Sequence, residues 1–305
     1  MISDNLVSFV VQGPVITGGE FSTLNVLNSI RKHFPGAEII LSTWKDSPLE
    51  GLQYDKVLLL DVPPTIQVIE GYQSNINRLI YSSYEGIKAS TRKYTVKTRT
   101  NTLFSNNSIL STFKEEPTNS VFAKKIYTIE YFTRDSYKCS VIKYNDGYLF
   151  HPSDIFLFGL KEDVQEFFSC PHATTEIMMN ERDRGLPIHT EQYIWMNLLI
   201  RRKKLKNYKH AVVKYNPWHC YLSEKTLFDN FKVFDHTDIG LVLEPRLTHG
   251  WMYECIIKGE FQRKYDNKTA LGKSLLLWSR AIYYTLIYNR FFREVFGKKV
   301  SLPHN

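Results

Sequence analysis

The sequence predicts an α/β fold on a mostly parallel central sheet flanked by helices, and three observations carry that expectation. An apolar run at the start closes on Gly13-Pro14, such runs alternate with amphipathic stretches over the first hundred residues, and apolar side chains are plentiful. With 43% apolar and 14% aromatic residues among 305, the chain can bury a sizeable core, as one large α/β domain or two small ones.

Leu6 to Gln12 reads as a buried strand ending in a sharp turn. Phe21 to Phe34 spaces Leu24, Leu27 and Ile30 at helical intervals before the stop signal Pro35-Gly36. Strands follow at Ala37 to Leu41 and Lys56 to Leu60, a helix at Asn75 to Ser90 and a strand at Tyr94 to Arg99. Strands alternating with helices imply right-handed crossovers, and ligands then bind outside the carboxyl ends of the strands. Those ends hold Gln12-Gly13, Thr43-Trp44 and Thr98-Arg99-Thr100-Asn101. Beyond residue 104 the alternation loosens. Lys124 to Tyr131 and Ile155 to Phe158 read as strands, Thr190 to Leu199 as a helix capped by Thr190, and Tyr215 to Glu260 as irregular and aromatic-rich. No repeat or linker interrupts the chain, so residues 1–271 are expected to form a single domain. Within it, 1–104 form a nucleotide-side half and 105–271 an acceptor-side half, and a basic amphipathic helix occupies 272–305.

Four scattered cysteines without C-x-x-C spacing, and an N-terminus without a basic leader, predict a cytoplasmic chain. No stretch approaches the roughly 18 apolar residues of a spanning helix. A net charge of +8 favours anionic partners without choosing among them. Nucleic acid is not expected as a partner, because no recognised motif or basic-aromatic stacking platform is present. Phosphate-loop, dinucleotide and serine-hydrolase motifs are likewise missing. Cys170-Pro171-His172 and His219-Cys220 lack the close spacings of structural zinc sites.

Residues 75 to 101 resemble the stretch of GT-A glycosyltransferases in which a helix bearing Asn and Arg, a Gly-x-x-Ala turn and a strand lead to an Asp-x-Asp metal motif. Val10-Val11-Gln12-Gly13-Pro14, Phe34-Pro35-Gly36-Ala37-Glu38-Ile39-Ile40-Leu41-Ser42-Thr43-Trp44, His151-Pro152-Ser153-Asp154 and Glu191-Gln192-Tyr193-Ile194-Trp195 complete an ordered set. Together they resemble the WavE lipopolysaccharide-synthesis family over roughly residues 7 to 200. The resemblance implies a GT-A-like Rossmann-type fold with an irregular acceptor-side half. It also implies sugar transfer from a nucleotide sugar to a lipopolysaccharide, O-antigen or capsule acceptor. Where that family usually places an aspartate this chain has Asn101, and an amide oxygen brings no charge to a Mg²⁺ or Mn²⁺ ion, so a divalent metal is an open requirement.

The same segment offers another source of positive charge. Lys97 and Arg99, two apart on a strand, share a face, and Arg78 lies on the preceding helix. These cations could hold a departing diphosphate, or Lys97 and Arg99 could decorate a solvated sheet face. Gln12, Gly13 and Thr43 would then lie near base and ribose, unless Gln12 and Thr43 only form turns. An inverting transferase needs a carboxylate to take the acceptor proton, and Asp154 and Glu191 are the candidates. Glu191 also suits a helix's first turn with no other role. His151 and Gln192, in the same motifs, are expected to touch substrate.

Leu275 to Phe296 is apolar almost all round, with aromatic girdles and basic flanks, which suits a helix in the interface of an anionic inner membrane or one packed on protein. Two other functions share these features: a degenerate member that binds nucleotide sugar or glycan without turnover, and transfer of a sugar or polyol phosphate.

Overall fold

β1 (Val7–Gln12) is buried along its whole length, and the rest of the fold is arranged about it. The computed structural model describes residues 2–69, 72–118, 120–135, 149–178, 189–205, 216–245 and 257–288. After β1 come α1 (Thr23–His33), β2 (Glu38–Trp44), β3 (Lys56–Leu60), the hairpin β4 (Ile66–Ile69) and β5 (Tyr72–Ser74), α2 (Ile76–Lys88) and β6 (Tyr94–Arg99). The second half comprises β7 (Leu103–Phe104), α3 (Ser108–Thr112), β8 (Ile126–Ile129), β9 (Leu157–Leu160), α4 (Lys161–Phe167), α5 (Thr175–Met178) and α6 (Thr190–Arg201). It ends with α7 (Pro217–Asn230), β10 (Phe231–Phe234), β11 (Leu241–Val242), α8 (Gly259–Asp266), α9 (Ala270–Ile282) and a π-helical turn at Tyr283–Tyr288.

Seven strands form the main sheet in the order β10-β8-β9-β6-β1-β2-β3. All run parallel except β9, which is antiparallel to both neighbours. This mixed α/β sheet is consistent with a Rossmann-like GT-A fold. Strand order reverses between β1 and β6, and such a reversal opens a crevice at the carboxyl ends of the two strands.

Alternation along each strand sorts the core into two layers. Val7, Phe9 and Val11 of β1 face a cluster with α1 and β7, where Phe9, Phe34 and Phe104 have ring centroids 4.6 to 5.4 Å apart. Val10 faces the opposite cluster, built on α2, α4, α6 and α7 and centred on Trp195, Phe167 and Phe231. Gly86 lets α2 lie close on this second face, since a β-carbon there would come 2.5 Å from Val10 Cγ1 and 3.0 Å from Ser42 Cβ.

The structure corrects several expectations. Tyr215 to Glu260 is not irregular throughout, because 217–230 is a helix and Phe231–Phe234 pairs with β8 in the main sheet. The helix shows no amphipathic period because nine of its residues, from His219 to Asn230, are buried on several sides. Its start was signalled all the same, since Asn216 accepts from the His219 amide and Pro217 follows. The strand expected at Ile155 to Phe158 forms two residues later, with the Phe156 carbonyl taken by the Thr128 hydroxyl (3.0 Å). Helix α6 is capped by His189 rather than Thr190, for His189 holds extended backbone and its amide donates to the Gln192 side chain (3.2 Å). Of the expected terminal helix, residues from 289 onward lie outside the described residues.

Candidate active site

The crevice at the reversal is shaped first by backbone. Gly13, with φ 123°, turns the chain out of β1 while its amide donates to the Ser42 carbonyl (3.1 Å). A β-carbon there would stand 3.4 Å from Thr100 Oγ1. The Thr100 amide donates in turn to the Gln12 carbonyl (3.3 Å), so the exits of β1 and β6 are tied side by side.

Register then aligns the charges. Lys97 and Arg99 pair with Val10 and Gln12 on the face of the sheet covered by α2 and α6. Both reach Asp154, which precedes β9 across the antiparallel pairing. Arg99 Nη2 donates to both oxygens of Asp154, at 2.9 Å each. Lys97 is fully buried, its Nζ donating to the Asp154 carbonyl and standing 3.7 Å from the carboxylate. Burial opposes a charge on the Asp154 carboxyl, but Arg99 and Lys97 overcome it and hold the group well below the usual carboxylate range. For Lys97 burial outweighs the carboxylate and lowers the ammonium to about 7. Arg99 differs, because about a third of its side chain (31%) stays open, while its Nε is buried without a hydrogen-bond partner. Asp154 thus occupies only one nitrogen of the guanidinium, Nη2.

A second carboxyl stands beside the first. Glu191, in the opening turn of α6, feels the Asp154 charge, and its Oε2 lies 3.5 Å from His151 Nε2. Burial, then the Asp154 charge, pushes the Glu191 carboxyl above its usual range. His151 Nδ1 is 2.9 Å from the Phe132 carbonyl, which can only accept, so Nδ1 carries the hydrogen. Burial, with His189 and Arg134 nearby, keeps the ring far below its ordinary pKa and therefore neutral, with Nε2 as an acceptor facing Glu191. Two neighbouring carboxyls are in this way driven apart in acidity: Asp154 is fixed as an anion, while Glu191 retains an affinity for a proton.

The other expected residues take varied places. Gln12 is buried, its side-chain amide held by the Ser82 hydroxyl (2.8 Å). The Thr43 hydroxyl bonds that of Ser47 (2.8 Å) across the turn after β2. Arg78 donates from Nε to the Pro63 carbonyl (2.9 Å), which turns it toward the segment after β3. Gln192 uses its oxygen on the His189 amide and its nitrogen on the Leu149 carbonyl (2.8 Å), so it clamps backbone. Asn101 donates to Glu244 Oε2 (2.9 Å).

Sequence reasoning missed Glu244, Arg134, His189 and Tyr131. Glu244 follows β11, whose pairing with β7 carries it to the exit of β6. Arg134 and His189 act on His151, and Tyr131 lies within electrostatic reach of Arg99. None sits in a motif, and only the fold brings them here.

The chain matches the family described as WavE lipopolysaccharide synthesis over residues 7–293. It belongs to that family. None of the curated proteins compared with this WavE-family chain matches it. The family's part in lipopolysaccharide synthesis makes a metal-assisted site worth testing against the residues present. The described residues contain no group of three His, Cys, Asp or Glu side chains able to hold a metal ion. At Asn101 an amide nitrogen faces Glu244, which is not the paired carboxylate set that a hard divalent cation favours. The residues described do not fit a protein-built metal cage, and Arg99 supplies positive charge at this edge.

Proposed function

We propose that this chain moves a sugar from a nucleoside-diphosphate sugar to a growing lipopolysaccharide or related cell-surface polysaccharide, by a single inverting displacement. The observation that carries the reading is Arg99, anchored by Asp154 and with about a third of its side chain (31%) open, at the strand-order reversal. A guanidinium so fixed needs no reorganisation to meet an anion, and negative charge grows on the diphosphate as its bond to the sugar breaks.

Glu191 is the proton acceptor in this reading. Asp154, held anionic by two cations, is too weak a base, whereas a carboxyl raised by burial is closer to the acidity that general-base catalysis at neutral pH requires. The Glu191 carboxylate takes the acceptor hydroxyl proton, the hydroxyl oxygen bonds to the anomeric carbon, and the diphosphate leaves with the electron pair of the broken bond. Asp154 is a positioning residue for Arg99, and His151 orients Glu191 through its neutral Nε2. Gly13 and the Gln12 carbonyl shape the wall beside the leaving group. Glu191 keeps 9% of its side-chain surface open, which suits a base reached only once an acceptor is seated.

The test is release of nucleoside diphosphate from a panel of nucleotide sugars, with and without a lipopolysaccharide acceptor fraction and Mn²⁺, beside a thermal-shift series on the same donors. Binding to the native state alone raises its melting temperature. The reading expects one donor class to stabilise the chain and to release diphosphate when acceptor is added. Stabilisation with no release under any of these conditions would replace it with a nucleotide-sugar-binding protein.

A further inference from the structure

The C-terminal helix α9 is fixed to the domain on one side and bare on the other. Trp278 stacks on Tyr221 of α7 (centroids 4.4 Å apart, planes at 13°), and Leu277 and Ala281 are buried. Arg280 donates to Glu224 (3.0 Å) and to Asp135 (3.1 Å) and lies 4.3 Å from the Phe261 ring. Beside Trp278, an outer arc exposes Leu271 (70%), Leu275 (60%) and Ile282 (44%), which at 100° per residue fall within about 40° of each other. Leu286 continues the apolar surface into the π-helical turn, and Trp218, half exposed, adjoins it 6.0 Å from the Trp278 ring.

We propose that this outward face is a docking surface for an anionic phospholipid bilayer. Apolar side chains here enter the headgroup and acyl boundary, and the neighbouring aromatics lie at headgroup level. Charge selects the occupant. From Asn267 to Tyr288 the chain has no Asp or Glu, Arg280 is neutralised by Glu224 and Asp135, and Lys268 and Lys273 leave this end of the domain positive, which attracts acidic lipid, while a second copy would bring like charges together. No described helix is long and apolar enough to cross a membrane, so the contact is a lateral one. Its position also connects to the crevice. Asp135, which holds Arg280, lies two residues after Thr133, whose hydroxyl accepts from the Ser153 amide (3.1 Å), one residue before Asp154. Docking through α9 would therefore bring the sheet edge near the bilayer surface.

Co-sedimentation of the full chain with phosphatidylglycerol and with phosphatidylcholine vesicles tests this. The expected result is pelleting with the anionic vesicles, at least tenfold weaker for the Leu275→Glu, Ile282→Glu double variant and weaker in high salt. Because that variant could fold poorly, brominated anionic lipid is also added to the unsubstituted chain, where quenching of tryptophan fluorescence is expected. A wild-type chain left in the supernatant, a folded double variant that pellets undiminished, or fluorescence unmoved by brominated lipid each overturns the proposal. So does a dimer, seen by sedimentation equilibrium, that the double variant dissociates while vesicles bind neither form. No donor or acceptor enters the assay, so its failure leaves the transferase reading standing.

Discussion

The first hundred residues deliver their polar groups to the crevice by strand register, whereas His151 and Asp154 arrive on irregular backbone and Glu191 on the first turn of α6. Gln12 and Arg99 face each other because β1 and β6 are parallel and in register. Asp154 and His151 instead follow Phe150 (φ 57°) on irregular backbone and lie against Phe132 (φ 64°), both phenylalanines in the left-handed region that bulky residues avoid. That conformation persists because its neighbours are fixed: the Phe132 carbonyl holds His151, and the Phe150 amide donates to the Ser223 hydroxyl (2.6 Å). One half supplies a rigid cationic edge. The other brings carboxyls to it at some conformational cost.

Removing the bond between the halves should have the largest effect. Asp154→Ala leaves Lys97 buried beside an unneutralised Arg99, and breaking such a pair typically costs about 3 to 5 kcal/mol. Urea unfolding should show a loss of that order together with loss of transfer; a variant as stable as wild type would show that the halves are not joined through this contact.

Glu191→Gln should separate chemistry from architecture. Transfer is expected to fall roughly 10²- to 10⁴-fold, the usual worth of a general base. Stability should move the other way. Folded Glu191 keeps its proton up to about pH 8, while the unfolded chain releases it near 4.5, so the folded state binds the extra proton between those values and stability declines as pH rises through them. Gln removes that decline, and thermal melts at pH 5 and pH 8.5 should show the variant gaining on wild type only at the higher pH. Wild-type transfer should in turn rise toward about pH 8 as Glu191 ionises. An equal gain at both pH values would mean that Glu191 is not protonated in the fold.

A smaller effect probes the register-built half alone. Gly86→Ala places a methyl against Val10 and Ser42, and overpacking of this kind costs about 1 to 3 kcal/mol. The melting temperature should drop while the pH dependence of transfer stays unchanged; a shifted pH profile would show that the carboxyls depend on the packing of α2.

The two halves also differ in how far the sequence reveals them. Period-two alternation was enough to put Lys97 and Arg99 on one face, and Gly13-Pro14 marked the exit of β1. Nothing local pairs Arg99 with Asp154, 55 positions later, so the cations read as possible anion ligands when one of them is locked inside. Asp154 and Glu191 stood out as carboxylates, but their division of labour depends on burial against each other, which no spacing encodes. Helix α7 escaped because a helix buried on several sides carries no stripe. Arg78 and Gln192 were conspicuous in their motifs, yet both spend hydrogen bonds on main-chain carbonyls.

The central claim is that Arg99 receives the diphosphate and Glu191 does not. Isothermal titration of the best-bound nucleoside diphosphate into wild type, Arg99→Ala and Glu191→Gln tests it directly. The account predicts affinity at least tenfold weaker for Arg99→Ala and within about twofold of wild type for Glu191→Gln, a tenfold change corresponding to about 1.4 kcal/mol. Undiminished binding by a folded Arg99→Ala variant would contradict it.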